Sequence, residues 1–285
     1  MSSAPVVLET VTRTALLGMR FWDRVTGSIV GDGLQVTEMR TGIAAVPNRS
    51  GVFVLHDFPG LHASANGSGD DTFWSSPPAA ATTTFVVTDA ARRFLPFAFT
   101  MEVPLQGLFA EDCGLAASPP DAVAGGVPLF SAPSRVVPAG VAAVRADLWD
   151  AEADAPAAWA VLEVSSNGGS VYRGVADELG RTVVLLPYPE PPWHGSSPPP
   201  GSRALSDQTW PLTIAVRYAP AAASPPLPDP ASGNAPDLCA VLTQPSGTLL
   251  GAESPATPLG SQTLAFGREL VLRTPGRSVL LVIPA

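Results

Sequence analysis

The three histidines, His56, His62 and His194, are the side chains of this sequence best suited to metal binding or proton transfer. His56 and His62 lie close along the chain, as two metal ligands often do, but a zinc site needs three or four converging ligands. These two belong to a predicted strand end and to the loop after it. We therefore expect ordinary histidines there and no metal ion.

The acidic side chains were the next candidates for chemistry. Residues 66–71 place oxygen-bearing side chains at alternate positions, as the start of a calcium loop does, but the distal glutamate of an EF-hand is missing. The pairs Asp70-Asp71 and Glu111-Asp112 fall in predicted loops, whereas a glycosidase needs two carboxyl groups facing each other across a cleft. The sequence has no nucleophile elbow, phosphate-binding loop or zinc-protease motif. We predict a protein that is not an enzyme and needs no cofactor.

Charge argues against a nucleic-acid partner. The formal net charge is −9 and all 16 basic residues are arginine. Neutralising phosphates requires clustered basic side chains, and Arg92-Arg93 is the one adjacent basic pair in the sequence. The absence of lysine also removes the amine that forms Schiff bases.

Cysteine usage and the start of the sequence bear on location. Cys113 and Cys239 are far apart in the sequence, and neither has a second cysteine or a histidine nearby. This usage is typical of isolated, buried cysteines in a reducing cytoplasm, so we expect folding without disulfides. No secretory signal and no apolar run long enough to span a bilayer is evident. We predict a chain made in the cytoplasm without a signal peptide.

Hydrophobic periodicity indicates strands. Between residues 144 and 192, apolar and polar side chains alternate in steps of two, and turn-forming residues punctuate the runs. The best single example of period two is Phe97, Phe99, Met101 and Val103. No segment favours a long helix. The predicted fold class is all-β.

Two stretches resemble each other in layout, which predicts two modules. In one, a strand ends at Asp23 and a later turn contains Gly51; in the other, a strand ends at Asp150 and a later turn contains Gly180. We predict two β-sandwich-like modules at residues 10–110 and 135–285, joined by a Pro-rich linker at 111–134. Further Pro-rich loops follow within each module.

Two sets of apolar residues are candidates for protein interfaces. Trp74, Trp193 and Trp210 lie in or beside Pro-rich loops, where a tryptophan can anchor a partner protein or stack on a sugar. Near the C-terminus, Pro275-Gly276-Arg277 predicts a hairpin between two β-forming runs. The apolar side chains of its second strand need a cover, either their own sheet or a partner strand. That strand includes Val279, Leu281 and Ile283.

The segments that begin RFWDRVTGSIVGDGLQV and PAAWAVLEV resemble carboxypeptidase-regulatory-like β-sandwich units, with matching positions at Asp23, Thr26, Gly27, Val30 and Gly33. That resemblance implies a non-catalytic sandwich. The wider pattern, including ARRFLPFAF, ADELGR, PYPEPP and FGRELVLRT, is similar to structural proteins of phage-tail-like extracellular contractile injection systems.

This second resemblance implies a structural subunit at or near the baseplate of such a particle. It implies protein partners, namely neighbouring subunits in symmetric copies, and an intracellular or lysis-released location. A carbohydrate- or surface-binding β-sandwich module is the alternative, with Trp74 or Trp193 as the stacking platform.

Overall fold

The computed structural model describes residues 15–55, 58, 72–111, 113, 125–166, 169–189, 207–220 and 235–284. Within these ranges the regular structure is almost entirely β, and it forms two curled sheets that resemble a β-sandwich. The described helices have four and five residues: α1 (Thr72–Ser75) and α2 (Leu238–Leu242). Neither is long enough to cross a membrane. The all-β prediction is confirmed.

The first module is built on an eight-stranded sheet. Its strands are β1 (Leu17–Asp23), β2 (Leu34–Glu38), β3 (Ala44–Pro47), β4 (Val52–Leu55), β5 (Ala81–Asp89), β6 (Phe97–Val103), β7 (Leu108–Phe109) and β8 (Val127–Leu129).

The order across this sheet is β6-β5-β2-β3-β4-β1-β7, with β8 pairing separately with β1. Strand β6 shows the predicted alternation, since Phe97, Phe99, Met101 and Val103 are all buried. Aromatic rings fill the core: Phe21 lies edge-on to Phe53, with ring centroids 5.4 Å apart. Aromatic side chains bury large apolar areas, so a few of them suffice to anchor a small module.

Part of the predicted linker at 111–134 belongs to the first module. Residues 127–129 form β8, which runs parallel to β1. Leu129, Phe130 and Ala132 are buried in the first core. The proline in Val-Pro-Leu favoured a linker, but a proline is tolerated in a short strand that pairs along one edge. Pro128 lies in such a strand, opposite Trp22 of β1.

The second module is built on an eleven-stranded sheet. Its strands are β9 (Val141–Asp150), β10 (Ala155–Pro156), β11 (Val161–Ser166), β12 (Val171–Val175), β13 (Arg181–Pro187), β14 (Thr209–Arg217), β15 (Ser246–Glu253), β16 (Ala256–Pro258), β17 (Gln262–Ala265), β18 (Leu270–Leu272) and β19 (Leu280–Ile283).

Strand β9 is the organising element of the second sheet. It pairs antiparallel with β13 over the whole length of that strand, and parallel with both β18 and β19. Strand β14 shows strict alternation, with Trp210, Leu212, Ile214 and Val216 directed into the core. This core is mostly aliphatic and contains no residue of the first module among those described.

The prediction of a hairpin around Pro275-Gly276-Arg277 is wrong. Strands β18 and β19 do not pair with each other; both lie parallel to β9, in succession along it. The turn is real, because Arg277 N–H donates to the Thr274 carbonyl. The chain leaves β9 there and then returns to it in the same direction. Turn chemistry alone cannot distinguish this excursion from a hairpin.

Helix α2 is a second connection between the modules. It follows β14 in the chain, yet Leu238, Val241 and Leu242 lie in the core of the first module. Asp237 caps its N-terminus by accepting a hydrogen bond from Ala240 N–H at 2.8 Å. Just before the helix, the Pro236 carbonyl accepts a hydrogen bond from Ala98 N–H of β6 at 2.7 Å.

Candidate functional site

Among the described residues one five-residue turn occurs three times, at residues 48–52, 89–93 and 177–181. In each, the side chain of the first residue accepts hydrogen bonds from the N–H groups of the third and fifth. The fourth residue has positive φ, and its N–H donates to the carbonyl of the first. Asparagine and aspartate suit the first position because their short side chains reach backbone groups two residues on.

The fourth position explains the glycine spacing in the sequence. Gly51 and Gly180, the corresponding turn glycines of the two predicted modules, both occupy the fourth position, with φ of 74° and 76°. A Cβ on Gly180 would lie 2.3 Å from the Leu148 carbonyl oxygen, so glycine is required there. In the middle turn this position is held by Arg92 with φ of 53°. This is an uncommon conformation for a residue with a side chain.

Two of the three turns end in an arginine that binds back to the first residue. Arg93 Nε lies 3.0 Å from Asp89 Oδ2, and Arg181 Nε lies 2.8 Å from Asp177 Oδ2. Burial opposes ionisation of Asp89, but the hydrogen bonds and charge of Arg93 outweigh it and lower the pKa of Asp89 below its ordinary value. Both turns are thus braced by a charge-assisted pair.

These two braced turns line opposite sides of one groove between the modules, with a volume of about 770 Å³. The first module contributes the turn at 89–93 together with Phe94, Leu95 and Pro96. The second contributes the turn at 177–181 and the outward side chains of β9. The groove is our candidate functional site, because it is a concave surface lined by fixed backbone and by charged side chains from both modules.

Both signs of charge are exposed in the groove. Arg92 supplies a positive charge from the first module, and the second supplies Asp147 and Glu178 together with Arg181, which is paired with Asp177. The hydrogen bond that Arg181 donates to Asp177 raises the pKa of Arg181, and the nearby Glu178 and Asp147 add to the effect. The arrangement suits a polypeptide segment bearing both signs of charge.

A buried ion pair anchors the segment between β8 and β9 to the first module. The Arg135 guanidinium contacts both carboxylate oxygens of Asp23, at 2.6 and 2.9 Å. Arg135 also covers the Phe94 ring, 4.8 Å from its centroid. Burial would raise the pKa of Asp23, but hydrogen bonds from Arg135, Val25 and Thr26 together with the Arg135 charge lower it.

A disulfide adds a covalent connection. Cys113 follows the first-module strands, Cys239 lies in α2, and the two are bonded with their Cα atoms 4.9 Å apart. The expectation of isolated cysteines is therefore wrong. The two residues are 126 positions apart in sequence, and no local pattern predicts that α2 packs on the first module.

The tryptophans predicted as interface anchors have different positions. Trp210 is 4% exposed and packs beside Tyr188 and Phe266, with the Tyr188 ring centroid 5.5 Å away, so it is a core residue and not a surface anchor. It was misplaced because β14 begins directly after a Pro-rich stretch. Trp74 is half-buried in α1 and engaged with its surroundings. Trp193 lies outside the described residues.

The apolar residues proposed near the C-terminus are covered by their own sheet. Leu281 is 5% exposed, and Val279 and Ile283 are half-buried. Strand β19 lies between β9 and β15, so both of its edges are paired. Of the two covers considered from sequence, the strand's own sheet is the one observed.

The residues weighed for metal binding and catalysis mostly lie outside the described residues. This applies to His56, His62 and His194, to the loop at 66–71 and to Asp112. Glu111 is described and lies beside the disulfide.

The groove was missed from sequence, although its two turns carry a signal. Both have an aspartate followed four positions later by an arginine, as in DAARR and DELGR. That spacing predicts a turn, but not that two such turns face each other across a module boundary.

No family model matches the sequence, and no curated protein matches it significantly. Among solved structures, the Bacillus anthracis TIE protein overlaps with a TM-score of 0.23 at 9% identity, covering 90% of this chain and 33% of that one. A streptococcal ancillary pilin overlaps with a TM-score of 0.22 at 8% identity, covering 96% of this chain and 64% of that one.

The shaft pilin SpaA of Lactobacillus rhamnosus GG overlaps with a TM-score of 0.22 at 9% identity, covering 96% of this chain and 98% of that one. This chain thus spans about a third of the TIE protein and just under two thirds of the ancillary pilin. Overlaps at TM-scores this low do not establish a common fold. The class that the structure itself defines is an all-β protein of two sandwich-like modules with a charged groove between them.

Proposed function

We propose that this chain is a non-enzymatic structural subunit of a phage-tail-like contractile injection particle, located at or near the baseplate. It acts through protein–protein interfaces, with the groove between its modules as one contact surface. The assignment to a particle rests on the sequence resemblance. The groove supports the subunit role.

The observation that carries the subunit role is the fixed relation between the two sides of the groove. The disulfide and helix α2 connect the modules, and within the groove the Arg145 guanidinium donates a hydrogen bond to the Pro133 carbonyl. A surface held rigid before binding loses less conformational entropy when a partner docks, which favours a contact repeated in many copies.

The test is to purify particles from producing cells and search for this chain by mass spectrometry, while imaging particles from a deletion strain by electron microscopy. We expect the chain in wild-type particles and misassembled or missing particles in its absence. If the chain is absent from the particles and the deletion strain builds intact contractile ones, the proposal is wrong. Glycan-array binding lost on Trp74→Ala would then favour the carbohydrate-binding alternative.

The groove is tested in the same strain with a charge-reversing pair, Asp147→Arg with Glu178→Arg. Both side chains are exposed, so the fold should tolerate the change, and we expect the variant to be depleted from particles. The matched control reverses two exposed acids outside the groove, Glu102→Arg with Glu152→Arg, and should be incorporated normally. Equal incorporation of both variants would exclude the groove as the contact surface.

A further inference from the structure

The disulfide lies beside a third side chain that could bind a metal ion. The carboxylate of Glu111 and the two sulfur atoms of Cys113 and Cys239 all lie within 4.8 Å of one another. Glu111 is held at this position by the backbone, because its Oε1 accepts a hydrogen bond from Cys113 N–H at 2.9 Å. Two sulfurs and one oxygen thus converge where the first module meets α2.

Reduction would turn this cluster into a set of ligands. Two cysteine thiolates and a carboxylate are donors that Zn²⁺ accepts, and thiolates select thiophilic cations over Mg²⁺ or Ca²⁺. We propose that, when the disulfide is reduced, Cys113, Cys239 and Glu111 bind a thiophilic divalent cation such as Zn²⁺. The metal then replaces the covalent bond as the connection between α2 and the first module.

The chemistry balances with a thiol or phosphine reductant. Reduction adds two electrons and two protons to the disulfide, breaks the S–S bond and leaves two thiols, while the reductant is oxidised. Binding of Zn²⁺ then forms two S–Zn bonds and releases the two thiol protons to solvent. With a phosphine, water supplies the oxygen of the phosphine oxide and the two protons.

The geometry allows this exchange with small movements. Two Zn–S bonds of about 2.3 Å at a tetrahedral angle separate the sulfurs by about 3.7 Å. The Cα atoms are 4.9 Å apart, so rotation of the two side chains about Cα–Cβ can reach that separation without moving the strands. A three-residue site leaves the fourth tetrahedral position to water. Glu111 and Cys239 are half-buried, so an ion can enter from solvent.

The physical consequence concerns the compartment. Disulfides do not persist in a reducing cytoplasm, where glutathione and thioredoxin keep thiols reduced. In such a compartment, with the disulfide reduced and no metal bound, α2 would be held in place by its apolar contacts and by hydrogen bonds such as those from Gln244. A metal bridge keeps the same two segments connected under reducing conditions.

The experiment uses the full chain, reduced with a phosphine and freed of metal under anaerobic conditions. Zn²⁺ binding is measured by competition with a chromophoric chelator, and Cd²⁺ is added separately to detect the thiolate-to-cadmium charge-transfer band. We expect one ion per reduced chain and none per chain reoxidised with diamide. Cys113→Ser and Cys239→Ser should each abolish the band.

Glu111→Gln should weaken Zn²⁺ binding by about tenfold or more, since it replaces an anionic ligand by a neutral one. The matched control is Glu102→Gln, an exposed acid of the same module outside the cluster, which should bind as the wild type does. If reduction loosens the fold, circular dichroism supplies the second readout, because Zn²⁺ should then restore the spectrum of the oxidised chain.

Three results would overturn the proposal. They are the absence of stoichiometric binding by the reduced chain, equal binding by the oxidised chain, and equal binding by the cysteine variants.

Discussion

The two modules differ in how their cores are completed. The described core of the second module contains residues from within that module only. The core of the first includes Leu238, Val241 and Leu242 of α2, and also Val161 and Val175 from strands of the second module. The first module therefore depends on the second for part of its apolar interior, whereas in the other direction a single small contact is seen among the described residues, Val25 against the cluster of Ala143, Val183 and Leu185.

Two corresponding aspartates also differ in their partners. Asp23 ends β1 and Asp150 ends β9, and each accepts backbone hydrogen bonds from the turn that follows. Asp23 also binds the Arg135 guanidinium, which precedes β9 in the chain. Asp150 instead accepts a hydrogen bond at 3.0 Å from the hydroxyl of Tyr218, a residue of its own module. One carboxylate is paired with a cation from the segment between β8 and β9, and the other accepts from a neutral hydroxyl.

The largest expected effect comes from removing an α2 side chain from the first core. Leu242 is 2% exposed, so Leu242→Ala should lower the free energy of unfolding by about 2–5 kcal/mol through lost burial and the cavity left behind. Hydrogen exchange should show lost protection in β5 and β6, with β9 and β14 retained.

The matched control is Leu179→Ala, at a side chain 53% exposed, which should change stability by no more than about 0.5 kcal/mol. Equal loss of protection in both modules on Leu242→Ala would contradict the asymmetry, since it would show that the two unfold as one unit.

An intermediate effect is expected from breaking the Asp23–Arg135 pair. The two side chains are only 5% and 11% exposed, so Arg135→Ala leaves a carboxylate without its cation and should cost about 2–4 kcal/mol near neutral pH. Because the folded pKa of Asp23 is lowered, its contribution to stability is present above the ordinary carboxylate pKa of about 3.9 and is lost as pH falls through the folded value.

Chemical denaturation at a series of pH values checks this prediction. The difference between wild type and Arg135→Ala should shrink below about pH 4, where Asp23 becomes protonated in the variant and then in the wild type. Arg277→Ala breaks an exposed pair with Glu253 and is the control, with little change expected. A difference that stays constant down to low pH would show that packing of Arg135, and not its charge, stabilises the junction.

The smallest effect is expected at the corresponding aspartate of the second module. Tyr218→Phe removes the hydrogen bond to Asp150 and should cost about 1 kcal/mol. Burial, together with the hydrogen bond and charge of Asp150, raises the pKa of Tyr218 to about 12. The stability it supplies is therefore present below the ordinary tyrosine pKa of about 10 and is lost as pH rises from there through 12.

Chemical denaturation between pH 9 and 12 tests whether stability falls as the pH rises. The matched control is Tyr188→Phe, because the Tyr188 hydroxyl accepts one exposed hydrogen bond from Gly267 N–H. Tyr218→Phe should flatten the alkaline loss of stability, and Tyr188→Phe should preserve it. The opposite pattern would mean that Asp150 does not govern the alkaline behaviour.

Local patterns in the sequence predicted what is local in the structure. The alternation in β6 and β14 and the turns at Gly51 and Gly180 depend on neighbouring residues, and they appear as expected. Prediction was wrong where distant partners decide the outcome. Pro128 was predicted to lie in a linker, but it belongs to a strand that pairs with β1. The turn at Pro275 was predicted to close a hairpin, but both strands beside it pair with β9.

The candidate site was the least predictable part. The spacing of each aspartate to the arginine four positions later, Asp89 to Arg93 and Asp177 to Arg181, predicts a turn. Nothing in either segment shows that the two turns line one groove. The disulfide was unpredictable for the same reason, because Cys239 lies beside Cys113 only when α2 packs on the first module. Such juxtapositions are properties of topology, which periodicity does not encode.

The placement of β19 has a consequence for how the chain acquires its structure during synthesis. Leu280–Val282 pairs with Leu148–Asp150, across more than half of the second module's sequence, and β19 lies between β9 and β15 inside the sheet. Until this strand emerges from the ribosome, β9 and β15 expose unpaired backbone edges beside apolar side chains. Such edges bind chaperones or other nascent chains. The second module therefore closes late, and the first, which needs α2, cannot be completed much earlier.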